Sequence, residues 1–240
     1  MTRVAVLAVL LAAACSTGRP EGPRAVLREG ARTLPADRNA PVQYVALGDS
    51  TVEGVGATSP DLNYVSRLGE RLRAVYPLAR VANLGAGGAT SADVVRRQLA
   101  RAIELRPDLV TLSIGPNDIT TRVPLEAYET NLEAILGRLR RETPAVIVVN
   151  LIPDLTVTPR FRAHRARESV GRQTVLFNEA LERRGRAHGA ELVDLYVVSQ
   201  REVPARPGLI GADGYHPSDV GYARWAELVW ARIQAHIASR

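Results

Sequence analysis

Short apolar runs alternate along the chain with longer stretches in which apolar residues return every three or four positions. The runs are residues 42–47, 79–84, 109–114, 145–152 and 191–195. Each has strand length, and the fourth, rich in Val and Ile, suits a strand covered on both faces. The periodic stretches predict helices over 63–76, 91–105, 125–142, 168–188 and 217–238. Their inward positions include Val65, Leu68, Leu72 and Val75 in the first, then Val94, Val95, Leu99 and Ile103 in the second, which Ser91 opens as a cap. The third presents Tyr128, Leu132, Ile135 and Leu139, and the last Val220, Trp225, Leu228, Val229 and Ile233. Strand–helix alternation with crossovers of this length predicts an α/β fold. The expected architecture is a three-layer α/β/α sandwich on a five-stranded parallel sheet, in the flavodoxin-like order 2-1-3-4-5. No internal repeat or second domain is visible.

The first forty residues do not share this pattern. Arg3 is followed by an unbroken apolar run over 4–14, ending in Ala12, Ala13 and Ala14 before Cys15. The run is too short to span a bilayer and has the length of a signal-peptide core. It resembles a bacterial lipoprotein signal, in which 1–14 is removed and Cys15 is lipidated. Such signals usually carry Leu where Ala12 stands, and an ordinary cleaved secretory signal is the alternative. Either one places the mature protein outside the cytoplasm, in the cell envelope, lipid-anchored or secreted. Residues 15–41, with Gly18, Pro20, Gly22, Pro23, Pro35 and Pro41, read as a flexible tether. The globular domain is then 42–240, long enough for one full core.

Composition narrows the chemistry. All 31 basic residues are arginine, so a P-loop lysine, a Schiff-base lysine and a Ser-Lys dyad are excluded. The net charge of +6 is spread along the chain without basic clusters and interleaved aromatics, which argues against a nucleic-acid partner. With one cysteine, no internal disulfide can form. The domain is expected to be a monomer that meets a membrane only through an anchor at Cys15.

Four strand ends carry the candidate chemistry. The first strand breaks into Gly48-Asp49-Ser50, which sets a free hydroxyl at the carboxyl edge of the sheet, where open α/β folds bind ligands. The second runs into Asn83-Leu84-Gly85-Ala86-Gly87-Gly88-Ala89-Thr90-Ser91, whose glycines free backbone N–H groups to point at one place. The third ends in Gly115-Pro116-Asn117-Asp118, where Asn117 offers a side-chain NH₂. Before the last helix comes Asp213-Gly214-Tyr215-His216-Pro217, in which Asp213 can bond His216 locally, fix its tautomer and leave Nε2 free. His164, His188 and His236 have no such arrangement and read as surface residues. Asp49 and Asp118 read as structural, each holding its own turn. The segments 153–167 and 198–210 are candidate walls of the crevice.

A nucleophile, a base, an orienting acid and oxyanion donors make up the set needed for acyl transfer. The four blocks resemble, in order and on the right element ends, those of the SGNH hydrolase superfamily, also called GDSL esterases and lipases. The one departure is Thr51, where the family's short name has Leu. The resemblance implies a serine esterase acting on carboxylic esters of small-molecule substrates, with short or medium acyl groups on a lipid or an acetylated sugar, and without a cofactor. Ser50, His216 and Asp213 would form the triad, and the oxyanion would meet the Ser50 and Gly88 backbone N–H groups and the Asn117 side chain. Other classes compete. Asp213, His216 and Asp219, spaced by threes, could ligate a cation for phosphoester hydrolysis. Residues 48–54 could serve as a flavin phosphate loop. A surface lipoprotein could keep the crevice only to bind a ligand.

Overall fold

The computed structural model describes residues 32–237. The signal-like segment, Cys15 and most of the expected tether lie outside these residues, as do the last residues of the final predicted helix. Five strands, β1 (Gln43–Gly48), β2 (Arg80–Asn83), β3 (Leu109–Ser113), β4 (Val146–Asn150) and β5 (Glu191–Val193), form one sheet in the order β2-β1-β3-β4-β5. Every pairing is parallel, as the sequence predicts. Because strand side chains alternate between faces, Val45 and Leu47 enter one core and Tyr44 and Ala46 the other.

Helices cover both faces. On one side, α1 (Tyr64–Val75) and α6 (Asp219–Ala235) pack over Tyr44, Ala46 and Val148. On the other lie α2, which runs from Ser91–Asp93 through a π-turn at Val94–Gln98 to Leu99–Glu104, together with α3 (Leu125–Glu142) and α4 (Arg167–Ala187). Tyr128 of α3 and Phe177 of α4 stack at 4.5 Å in the centre of that layer. A helix the sequence reading did not separate, α5 (Leu195–Ala205), follows β5 directly.

Four expectations need correcting. Ser91 is not the cap of α2. Thr90 caps it, with its N–H and hydroxyl both bonded to Asp93, while the Ser91 side chain turns inward. Val220 lies in the first turn of α6 and is 55% exposed rather than on the apolar side. His236 is buried: its Nδ1 meets the Arg32 carbonyl at 2.6 Å and its Nε2 lies 3.3 Å from Glu191. His188 is half-buried and bonds Glu133, leaving His164 as the exposed one of the three.

The tether also ends sooner than expected, because residues 32–41 pack on the domain. Leu34 is buried and its N–H donates to the His236 carbonyl. The Arg32 guanidinium donates to the carbonyls of Arg140 and Ala145, and Arg38 lies over the Tyr76 ring.

Candidate active site

Gly48 closes β1 at φ +146°, and a Cβ there would come within 1.9 Å of the Ser113 carbonyl oxygen on β3. Glycine is therefore required for the chain to turn so close to its neighbour. The turn is pinned by Gln98, whose Oε1 accepts from the Gly48 N–H at 2.9 Å while its Nε2 donates to the Gly48 carbonyl at 2.8 Å. Gln98 is the last residue of the π-turn in α2, a distortion that is frequent beside functional sites.

Asp49 caps the short helix Ser50–Glu53 that follows. Its carboxylate accepts from the Thr51 N–H at 2.9 Å and the Thr51 hydroxyl at 2.8 Å, so the residue that departs from the family's short name adds a second bond to the cap. Burial raises the Asp49 pKa to about 6, against the lowering effect of those bonds and of nearby His216. Ser50 is the first helical residue, at the point where the sheet order reverses between β1 and β3.

The other tips close around it. Ala86 N–H donates to the Gly48 carbonyl at 3.2 Å, and Asn83 Nδ2 donates to the Val52 carbonyl at 2.7 Å. Gly88 sits in this β2 loop at φ +75°. Asn117 lies in the short helix Pro116–Thr120 after β3, and its Nδ2 donates to the Ala89 carbonyl at 2.9 Å. The strand ends that carry the three expected oxyanion donors are thus tied to one another. Asp118 differs from its expected role. Instead of holding its own turn, its buried carboxylate crosses to α2 and accepts from the Ser91 N–H and, at 2.6 Å, from the Ser91 hydroxyl.

His216 arrives from the far end of the chain. Its Nε2 lies 2.9 Å from Ser50 Oγ, and its Nδ1 2.5 Å from Asp213 Oδ2. The other oxygen of Asp213 accepts from the backbone N–H groups of Tyr215 and His216. Partial burial pulls the Asp213 pKa up, but these hydrogen bonds pull harder, and the net position is below the usual carboxylate range. Helix α6 is also tied to the Ser50 loop across the fold: Tyr222 OH donates to the Val55 carbonyl, and Asp219 accepts from Thr58 N–H and hydroxyl. Asp219 is turned to Thr58, so the alternative ligand set of Asp213, His216 and Asp219 does not assemble; no three-residue metal-binding group occurs among the described residues.

An open cleft with about 970 Å³ of empty space starts at Ser50 and His216. Both candidate walls contribute to it: Leu155 and Thr158 from the first, and Val198, Val203, Leu209 and Ile210 from the second. Tyr215 joins them, its ring edge-on to His216 at 5.0 Å with the Arg160 guanidinium 4.9 Å above it. Sequence reasoning placed Trp225 only on the apolar side of the last helix and did not single out Gln98 or Asn150, whose parts in this region depend on contacts across the fold.

Ser50, His216 and Asp213 are thus hydrogen-bonded in series at the topological switch point of a doubly wound α/β/α domain. The GDSL-like lipase/acylhydrolase family model matches residues 46–224. The chain is a member of that family, within the SGNH hydrolase superfamily, and is a hydrolase acting on ester bonds. It is 25% identical to esterase TesA of Pseudomonas aeruginosa over 217 residues, covering 88% of this chain and 98% of that one. It is 30% identical to the GDSL-like esterase Rv1075c of Mycobacterium tuberculosis over 209 residues, which is 85% of this chain and 64% of that longer protein. A crystal structure of TesA superposes with a TM-score of 0.67 at 24% identity, over 81% of this chain and 99% of that one, and shows the same fold.

Proposed function

We propose that the protein hydrolyses carboxylic esters with short or medium acyl groups, using Ser50 as nucleophile, His216 as general base and Asp213 as its orienting acid. The observation that carries this reading is the 2.9 Å contact of His216 Nε2 with Ser50 Oγ, with Nδ1 held on Asp213. In the first step Ser50 Oγ attacks the ester carbonyl carbon while its proton passes to His216 Nε2. Asp213, already ionised, stabilises the imidazolium. The tetrahedral oxyanion is met by the Ser50 and Gly88 N–H groups and by Asn117, whose amide keeps a second hydrogen beyond the one given to Ala89. The C–O bond then breaks, the alcohol leaves with the proton from His216, and an acyl-serine remains. Water, deprotonated by the same His216, attacks the acyl carbon and releases the acid and free Ser50.

This chemistry needs no metal to generate the nucleophile. The test is labelling by a fluorophosphonate together with hydrolysis of p-nitrophenyl esters, with and without a chelator. Wild type should be labelled, active and indifferent to chelator, and Ser50→Ala should be unlabelled and inactive. Activity that survives in Ser50→Ala, or that a chelator removes, would overturn the assignment.

A further inference from the structure

The cleft that begins at Ser50 and His216 runs sideways across the carboxyl edge of the sheet. Its lining includes Ser50 from the β1 turn, Pro116 after β3, Ile152 and Leu155 after β4, and Leu195 directly after β5. These strands are neighbours in the order β1-β3-β4-β5, so the cleft crosses three strand spacings, about 14 Å. Beyond the β4 tip it passes between two helices. Helix α5 lines it with Leu195, Val198, Ser199 and Val203, which share one helical face. Helix α6 lines it with Gly221, Trp225 and Leu228, again on one face. The hydroxyls and charges that reach this part are engaged within the protein. Ser199 accepts from the Asp154 N–H and donates to the Tyr196 carbonyl, and Thr158 donates to the Leu155 carbonyl. The Asp154 carboxylate accepts from Gln200, and Arg224 pairs with Glu202 at 2.7 Å. A sugar placed here would strip water from its hydroxyls and gain few partners in return. A hydrocarbon chain makes no such demand and is favoured by burial.

We propose that the space between α5 and α6 measures the acyl chain, so that the protein prefers linear acyl groups of about eight to ten carbons with their methyl end against Leu195 and Leu228. These two leucines belong to one apolar cluster and face the cleft from opposite helices. The length follows from the crossing. A contact distance of about 4 Å at the far wall leaves about 10 Å for the chain, the reach of about eight to ten extended carbons. The acyl side is assigned by the order of events. The alcohol leaves and water takes its place beside His216, while the acyl group stays on Ser50. Asp213, with its side chain 43% exposed, marks the side of this cluster that is open to solvent, which gives the alcohol and the water a route. The groove between the helices then holds the group that remains. The proposal rests on the esterase reading for the attachment point at Ser50, and not for the fit of a hydrocarbon chain to the groove.

Two measurements separate the two. In the first, full-length protein is assayed on p-nitrophenyl esters from acetate to hexadecanoate. From butanoate upward kcat/KM should climb about three- to fourfold per added methylene, reach a maximum at octanoate or decanoate, and fall beyond it. Leu228→Trp shortens the groove and should move the maximum to shorter chains. Leu228→Ala lengthens it and should move the maximum to longer ones. Leu228 is only half-buried, so both changes are made at the edge of the core. A series of alkyl acetates, which varies the alcohol instead, should show no such maximum. A flat profile, a maximum at acetate, a maximum unmoved in both folded variants, or a maximum in the alkyl acetates alone would overturn the proposal. In the second, calorimetry on Ser50→Ala compares octan-1-ol with butan-1-ol, so no turnover is needed. The longer alcohol should bind about tenfold or more tightly, and adding Leu228→Trp should remove most of that difference. This result with no ester cleaved would sink the esterase reading alone and sustain the groove as a chain-binding site. Equal affinities for the two alcohols would overturn the groove itself.

Discussion

Gln98 holds both backbone polar groups of Gly48, its amide donating to the carbonyl and accepting from the N–H. One side chain on α2 thereby fixes the residue from which the Ser50 turn departs. Replacing Gln98 by Leu keeps the volume approximately but leaves the Gly48 N–H buried and unpaired, since its carbonyl still has Ala86. The expected loss of stability is about 1–3 kcal/mol, read from urea unfolding. On the proposed mechanism a fall in kcat should accompany it, because the Ser50 turn loses its support.

Asp213→Asn tests the orienting acid. The amide can still meet His216 Nδ1, but it no longer stabilises an imidazolium and favours the wrong tautomer. The expected drop in kcat is roughly three to four orders of magnitude, with fluorophosphonate labelling slowed in parallel and the melting temperature little changed. Labelling at the wild-type rate would remove Asp213 from the mechanism.

Asn117→Ala separates an oxyanion donor from a structural tie. Losing one such donor costs roughly 10²–10³ in kcat, whereas losing only the bond to Ala89 would lower stability and leave kcat near its original value. Steady-state kinetics with a denaturation curve on the same sample distinguishes the two.

The raised pKa of Asp49 gives stability a pH dependence of definite sign. Its folded value is about 6 against an ordinary 3.8, so between those limits the folded protein binds more protons than the unfolded chain. The contribution of Asp49 therefore becomes less favourable as pH rises from 3.8 through 6. Asp49→Asn has no such term. Its stability relative to wild type should improve from pH 4 to pH 8 by up to about 3 kcal/mol, measured by denaturation at both ends. A difference independent of pH would show that Asp49 is not held in a raised state.

Much of this was legible because polar residues interrupt apolar runs abruptly. Gly48-Asp49-Ser50 and Gly115-Pro116-Asn117 stand where strands must end, and Asp213 lies close enough to His216 for a local bond. The strand order followed from the alternation of elements. What escaped depends on partners that leave no spacing in the chain. Gln98 serves a backbone fifty residues away, so nothing in its own neighbourhood marks it. Asp118 looked like the anchor of its own turn, yet it secures Ser91, on a different element. Most of helix α5 fell in the segment 198–210, read only as a wall of the crevice; Pro204, a residue that interrupts helix patterns, is tolerated in its last turn. His236 sits at the end of an amphipathic helix, where solvent is the default expectation, and is covered by a segment whose prolines suggested a tether.

That covering segment has a practical consequence. Helix α6 begins beside His216 and, at 17 residues, carries the chain about 25 Å away before Leu34 joins it at His236. Residues 32–34 therefore meet the body on the side opposite the Ser50 hydroxyl. The described amino-terminal residues 32–34 and the Ser50 hydroxyl thus stand at opposite ends of α6.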